Sequence, residues 1–176
     1  LALGGCSATA THEATHAPTA ASSSARLNMS DVMFVTMMIP HHEQAVYMAE
    51  LAPGAGASPE VLALAERIAA AQDPEIAQMN AMLARWGVEP TMDHSDHMMP
   101  GMVDAETMDK LKAAKGTEFD RLFLTSMIAH HQGAIDMAQD PLANGSDPEL
   151  RTLLEAIVDT QSAEISEMQA LLDNTK

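Results

Sequence analysis

Two histidine pairs stand in closely related stretches of the chain, MMIPHHEQAVYMA (37–49) and SMIAHHQGAIDMA (126–138). Methionines accompany both pairs, and the chain has 15 methionines but one cysteine. Thioether sulfur is a soft ligand and imidazole a borderline one, so the combination favours Cu(I), and Ag(I) by the same logic, over Zn(II) or Mg(II). The predicted metal ligands are Met38, His41, His42, Met48, Met79, Met127, His130, His131, Met137 and Met168.

The two histidines of a pair cannot point along one stripe, because adjacent residues of a helix lie about 100° apart. One histidine of each pair is predicted to face the interior, in the first copy together with Met38 and Met48. The other is predicted to face a groove or a neighbouring helix. Met79 and Met168, on the partner helices, are predicted to complete the two inner sites.

A purely structural role for the histidines stays open. A buried imidazole costs free energy unless it is hydrogen-bonded, and the chain offers partners at matching positions. These partners are Gln72 and Glu75 in the first half and Gln161 and Glu164 in the second. If the histidines bind a metal, the same four residues are candidates to hydrogen-bond and orient them. Under the structural hypothesis the protein is a metal-free interaction module.

An internal repeat determines the predicted architecture. Shifting the chain by 89 positions (130 minus 41) aligns residues 31–83 with 120–172, and 22 of these 53 pairs are identical. Each copy predicts a helical hairpin, so the fold class is all-α, a four-helix bundle made of two repeated hairpins. Residues 27–176 are predicted to form one domain, with repeat one at 30–86, a connection at 87–117 and repeat two at 118–174. A short extra helix is expected at about 103–114 in the connection.

Local signals set the expected helix ends. Ser30 or Asp31 is predicted to cap the first helix, and PGAG at 53–56 to end it. Ser58 followed by Pro59 predicts the start of the second helix, which should end near Trp86. Alanine, leucine and methionine must fill the core, because aromatic residues make up only 3% of the chain.

Pro40 lies inside the first helix, where proline removes one hydrogen bond and clashes with the preceding turn. Ala129 occupies the matching position of the second copy. A kink is therefore expected, with the carbonyl of Thr36 released beside His41.

Residues 1–26 are predicted to lie outside the folded domain. LALGGCS resembles the end of a signal peptide with a lipobox, which makes Cys6 a lipid-bearing residue and the protein an exported, membrane-anchored lipoprotein. The following segment, rich in Ala, Ser and Thr, predicts a disordered linker. Its histidines, His12 and His16, are expected to be solvated.

The connection between the repeats carries a second group of soft donors. The segment MDHSDHMMPGM predicts a metal-capture loop, with a flexible connector as the alternative. Its candidate ligands are Met92, His94, His97, Met98, Met99 and Met102.

A formal charge of −16 argues against nucleic acid as a partner, because phosphate binding needs a basic face. No stretch approaches the roughly 20 apolar residues of a spanning helix, so any membrane contact is expected through the N-terminal lipid.

The doubled histidine motif, the methionine-rich surroundings and the lipobox resemble the bacterial DUF305 family over roughly residues 30–175. The resemblance implies an exported four-helix bundle of ferritin-like appearance. Some members of the family are periplasmic copper-binding proteins of the CopM type. It implies Cu(I) or Ag(I) ligation by the methionines and histidines of the two motifs. The expected function is copper buffering, storage or transfer, without catalysis, and with another copper-handling protein as a candidate partner.

A ferritin-like di-iron oxidase is the other alternative. That chemistry wants inward glutamates and Glu-x-x-His pairs, and the only such pair, Glu13 with His16, lies in the predicted linker. Glutamates of the histidine helices do not repeat, since Glu43 becomes Gln132.

Overall fold

The computed structural model describes residues 27–89 and 99–175. Six helices and no strands lie in these two ranges, so the all-α prediction is confirmed. They are α1 Met29–Glu50, α2 Ala52–Ala55, α3 Pro59–Trp86, α4 Ala105–Ala113, α5 Gly116–Asn144 and α6 Pro148–Asn174. Within the same ranges, none of the helices is long and apolar enough to cross a bilayer.

The helices form a bundle built from the two repeats. In the first repeat α1 packs along α3, in the second α5 packs along α6, and α1 packs on α5. The two helices α1 and α5 are antiparallel, because residue numbers increase along α1 while those of the contacting residues of α5 decrease. Asn28 contacts Asn144, and His41 contacts His130. The predicted extra helix is present as α4. The specific ferritin-like arrangement stays a prediction.

Helix ends agree with the sequence signals except at the two ends of α1. Asn28, and neither Ser30 nor Asp31, is the cap, because its side chain accepts from the Ser30 N–H at 2.9 Å. The helix α1 ends at Glu50, before the PGAG segment, whose residues 53–55 lie in the short helix α2 with Gly56 as its C-terminal cap. Ser58 caps α3 with Pro59 in the first turn, and Gly87 ends α3 with a φ of 68°, a conformation that favours glycine.

Prolines lie inside three helices without ending them. The helix α1 continues through Pro40, α3 through Pro74 and α5 through Pro141. Tertiary packing therefore outweighs the local cost of proline at all three positions.

Two buried aspartates at repeat-equivalent positions tie the halves together. Asp31 of α1 accepts from the N–H groups of Ser146 at 2.8 Å and Asp147 at 3.0 Å, where α6 begins. Asp120 of α5 accepts from the Ser58 N–H at 3.2 Å, where α3 begins. Each repeat thus supplies the carboxylate that satisfies backbone donors at the start of the other repeat's second helix.

The core consists of two separate apolar clusters filled with alanine, leucine and methionine, to which all three phenylalanines of the chain are added. The first, here called the Met38 cluster, also contains Phe34, Met79 and Leu150, and the half-buried Met137 packs on it. The second, here called the Met48 cluster, contains Met48, Phe119, Phe123, Met127, Met168 and Leu111 of α4.

Replacing Asp31 with alanine removes the acceptor for two backbone donors and leaves them in a partly buried loop. We expect Asp31→Ala to lower the free energy of unfolding by about 1 to 3 kcal/mol. Urea denaturation of the metal-free protein measures this change. Asp159→Ala, at an exposed position of α6, is the matched control and should stay within about 0.5 kcal/mol of the parent. Equal stability of the two variants would contradict a stabilising role for the hydrogen bonds that Asp31 accepts.

Candidate metal centre

A buried polar layer separates the two apolar clusters on all four long helices of the described ranges. On α1, α3, α5 and α6 alike, the residues of one cluster precede the layer and those of the other follow it. Its buried members are His41, His42, Gln72, His130, His131 and Gln161. Each residue of the first repeat in this set has its 89-shifted equivalent in the second, so the layer has approximate two-fold symmetry.

His41 and His130 meet where α1 and α5 cross. Their ring centroids are 3.8 Å apart with the planes inclined by 38°. These two residues are equivalents in the repeat, so the contact lies on the approximate two-fold axis. His130 also lies near its neighbour His131, with a centroid separation of 6.4 Å.

The other histidine of each pair faces the neighbouring helix of its own hairpin. His42 Nε2 is 2.8 Å from Glu75 Oε2, and His131 Nε2 is 2.7 Å from Glu164 Oε2. The carboxylate partners weighed from the sequence are therefore present. Gln72 and Gln161 are also buried, and both side-chain amide atoms of Gln72 lack a hydrogen-bond partner among the described residues.

Residues 99–103, here called the strap, cover the layer where α1 and α5 meet. The carbonyl oxygen of Pro100 is 3.0 Å from His41 Nε2. Gln44, one turn further along α1, accepts from the Val103 N–H at 2.7 Å and donates to the Val103 carbonyl at 2.9 Å. The Pro100 contact could not be predicted from the sequence, because a backbone carbonyl reached across 59 residues has no side-chain signature.

Burial keeps the central histidines neutral. Desolvation lowers the pKa of His41 to about 4 from 6.5, with the Pro100 hydrogen bond opposing the shift and nearby His42 and His131 adding to it. Desolvation also places the pKa of His130 well below its ordinary value, and the neighbouring His41 contributes in the same direction. Both rings are therefore neutral at pH 7, and each carries one N–H and one lone pair.

The hydrogen-bond partners select which nitrogen holds the lone pair. A carbonyl and an ionised carboxylate only accept hydrogen bonds, so His41, His42 and His131 each donate through Nε2. Their Nδ1 atoms are buried and have no hydrogen-bond partner among residues 27–89 and 99–175, and neither ring nitrogen of His130 has one there. The neutral rings of His41 and His130 thus hold buried lone pairs that are costly to leave unpaired.

Methionine sulfurs lie on both sides of this layer in a grouping that differs from the predicted one. Met38 and Met48 belong to separate clusters, because ten residues of helix span about 15 Å. Met38 and Met79 share a cluster with Met137 of the other repeat packed on it. Symmetrically, Met48 lies in the cluster of Met127 and Met168. An antiparallel neighbour therefore supplies the third methionine of each group.

The remaining predicted sites fall largely outside the described ranges. Met92, His94, His97 and Met98 of the connection, together with Cys6, His12 and His16, lie outside them. Of the loop methionines that are described, Met99 is buried and Met102 is half-buried. No group of three His, Cys, Asp or Glu side chains that could hold a metal ion occurs in residues 27–89 and 99–175.

The family model of DUF305, a domain of unknown function, matches residues 31–172. The chain belongs to the DUF305 family. A viral relative, uncharacterized protein L153 of Acanthamoeba polyphaga mimivirus, is 37% identical over 57 residues. That match spans 32% of this DUF305 chain and 38% of the viral protein.

Solved DUF305 structures share the fold. The crystal structure of a candidate secreted DUF305 protein from Streptomyces coelicolor is 28% identical with a TM-score of 0.78, covering 83% of this chain and 93% of that one. CopM in the Cu(I)-bound form is 37% identical with a TM-score of 0.71, covering 82% and 96%. CopM in the Cu(II)-bound form is also 37% identical, with a TM-score of 0.73, covering 83% and 97%.

The depressed pKa of His41 predicts acid sensitivity of the metal-free DUF305 fold. Between pH 6.5 and 4 the unfolded chain binds a proton at His41 and the folded chain does not, so stability falls as the pH falls through this window. From pH 6.5 to 5 the loss from this residue approaches roughly 2 kcal/mol. Urea denaturation across this range measures the slope, and His41→Gln should flatten it. A variant with the parental slope would exclude His41 as the source.

Proposed function

We propose that this protein binds Cu(I) outside the cytoplasm and buffers, stores or transfers it without catalysis. The observation that carries the proposal is the set of buried, unpaired Nδ1 atoms in the polar layer. Metal-binding histidines commonly donate their other ring nitrogen to a carboxylate or a backbone carbonyl, which fixes the orientation of the ring. His41, His42 and His131 have this arrangement, with Pro100, Glu75 and Glu164 as the acceptors.

The donor types support a soft, monovalent ion as the cargo. Thioether sulfur with imidazole nitrogen suits Cu(I) and its surrogate Ag(I), and neither donor must lose a proton from a cationic or thiol form to bind at pH 7. The central imidazoles of His41 and His130 are already neutral. An ion with one charge also costs less to bury than a divalent ion. The net charge of −16 attracts cations of either kind.

Two equivalent groups of donors follow from the repeat. One combines histidines of the layer with Met38, Met79 and Met137, and the other combines them with Met48, Met127 and Met168. Thioether side chains are flexible enough to turn towards the layer without moving the helices. We therefore propose up to two firmly held ions per chain.

CopM supports copper as the metal. Its structures have been solved with Cu(I), Cu(II) and silver, and those three forms are 34–37% identical to this chain. The candidate secreted relative from Streptomyces coelicolor supports an extracytoplasmic location. Lipid anchoring through Cys6 remains part of the proposal.

We assign acquisition and transfer of copper to the connection between the repeats. Its donors are Met92, His94, His97, Met98, Met99 and Met102. Because the strap is itself part of the connection and contains Met99 and Met102, an ion held by these donors is close in sequence to the segment that covers the layer. The acceptor of the copper is proposed to be another copper-handling protein.

A metal-free interaction module is the second candidate. The observation that favours it is the pair of hydrogen bonds from His42 to Glu75 and from His131 to Glu164, which satisfy half of each ring without any metal. Metal titration separates the two candidates directly.

The central histidines should determine the number of tightly bound ions. An anaerobic Cu(I) titration against a chromophoric chelator, with Zn(II) and Fe(II) in parallel, should give two tight Cu(I) ions in the parent. His41→Ala combined with His130→Ala should lower that number, because both central imidazoles are lost. Circular dichroism must first show a helical fold in the double variant. Unchanged stoichiometry would refute the assignment of these residues as ligands.

A sulfur-specific test uses methionine pairs of equal size. Met38→Leu with Met127→Leu removes one buried thioether from each proposed group while nearly conserving volume. We expect Cu(I) affinity to fall by about tenfold or more, equivalent to ~1.4 kcal/mol. The matched control is Met29→Leu with Met33→Leu, which changes two exposed methionines of α1. Equal affinities in the two double variants would exclude thioether ligation inside the bundle.

A further inference from the structure

The strap is a non-helical segment that contacts the histidine layer. Three hydrogen bonds join it to α1: the His41 ring donates to the Pro100 carbonyl, the Gln44 amide donates to the Val103 carbonyl, and the Val103 N–H donates to the Gln44 amide oxygen. A further bond, from the Met102 N–H to the Met99 carbonyl at 3.1 Å, closes the turn of the strap itself. Elsewhere the layer is bordered by long helices and by the two apolar clusters.

Two glycines allow the strap to touch α5 backbone to backbone. A Cβ added at Gly133 would lie 2.0 Å from the Pro100 carbonyl oxygen and 2.7 Å from the Gly101 nitrogen. A Cβ added at Gly101, which has a φ of 79°, would lie 2.5 Å from the Ala129 carbonyl oxygen. Neither contact leaves room for a side chain, so the strap rests directly on α5.

The strap breaks the symmetry of the layer. Gln44 and Gly133 are equivalent positions in the repeat. The side chain of Gln44 binds the strap, whereas Gly133 lacks a side chain and so leaves room for the strap. Likewise His41 donates to the strap, whereas its equivalent His130 has no partner at either ring nitrogen within the part of the chain that the structure describes. The strap therefore blocks Nε2 of one central histidine and leaves the other ring entirely free.

We propose that the strap controls entry of the metal ion to the histidine layer and that Gln44 is the positioning residue that holds it closed. This inference rests on the proposed function. An ion reaches the layer when the Gln44 bonds to Val103 break and the strap moves away from His41. With the strap closed, the Pro100 carbonyl keeps the proton of His41 on Nε2, so that Nδ1 is the atom offered to the ion.

The first test weakens the strap from either side in the full-length protein. Gln44→Ala removes both bonds to Val103, and Gly133→Ala places a methyl group where the Pro100 carbonyl lies. The matched controls are Gln139→Ala, at an exposed glutamine that bonds within its own helix, and Gly54→Ala, at a glycine with open space around it. The two designs are independent, so a folding defect in one leaves the other as a test.

The readout is the rate of Cu(I) exchange with a chromophoric chelator under anaerobic conditions. Both strap variants should take up and release Cu(I) roughly tenfold faster than their controls, since two neutral hydrogen bonds are lost or strained. Affinity should change much less, because uptake and release accelerate together. A purely structural role would instead lower affinity without faster uptake, and that result would overturn the inference.

A metal-free readout accompanies the kinetics. The Val103 N–H keeps its acceptor in Gly133→Ala, so faster amide hydrogen exchange there reports opening of the strap itself. We expect roughly tenfold faster exchange than in Gly54→Ala. Equal exchange in these two variants would refute an opening strap. Failure of the parent to bind Cu(I) would refute the proposed function, whereas tight binding with unchanged exchange rates would refute only the role of the strap.

Discussion

The structure depends on keeping polar imidazoles inside a bundle that is otherwise apolar. Four histidines and two glutamines occupy one level of the interior, where each unpaired polar atom carries a desolvation cost. Glu75 and Glu164 offset part of that cost at one nitrogen of His42 and His131. The remaining lone pairs are uncompensated within the described residues, and this is the cost that the proposed metal ion would offset.

The bundle meets this constraint by arranging equivalent residues around one axis. Antiparallel packing of α1 on α5 brings His41 against His130, and each hairpin then supplies its own glutamate from its second helix. The same packing places Met137 against the cluster of Met38 and Met79, and Met48 in the cluster of Met127 and Met168. A single connecting segment cannot obey two-fold symmetry, so the strap engages one half of the layer only.

Much of this architecture could be predicted from sequence because it is encoded by local patterns. The helical periodicity and the Ser58 cap each depend on residues close together in the chain, and the structure contains the helices and the cap that they predict. The repeat is visible directly as matching residues in the two halves. The position of the histidines on inner faces followed from the same periodicity.

Prediction failed where distance along the helix axis matters. Met38 and Met48 lie on the same face of α1, so the periodicity groups them, but they are separated along the axis of the helix. Prediction also failed at Asn28, since Asp31, a good capping residue by type, is instead bonded to the loop before α6. The strap could not be predicted because it contributes backbone atoms to its contacts with His41, Gln44 and α5, and backbone atoms leave no chemical signal in the sequence.

The exchanged aspartate ties have a consequence for the origin of the chain. Asp31 accepts hydrogen bonds from backbone N–H groups of a loop in the second repeat, and Asp120 accepts from the corresponding loop in the first. One hairpin alone therefore lacks the acceptor it needs, while two identical hairpins facing each other would complete both ties at once. A symmetric homodimer of a short ancestral hairpin satisfies the same contacts, and gene duplication with fusion would then have preserved them in a single polypeptide.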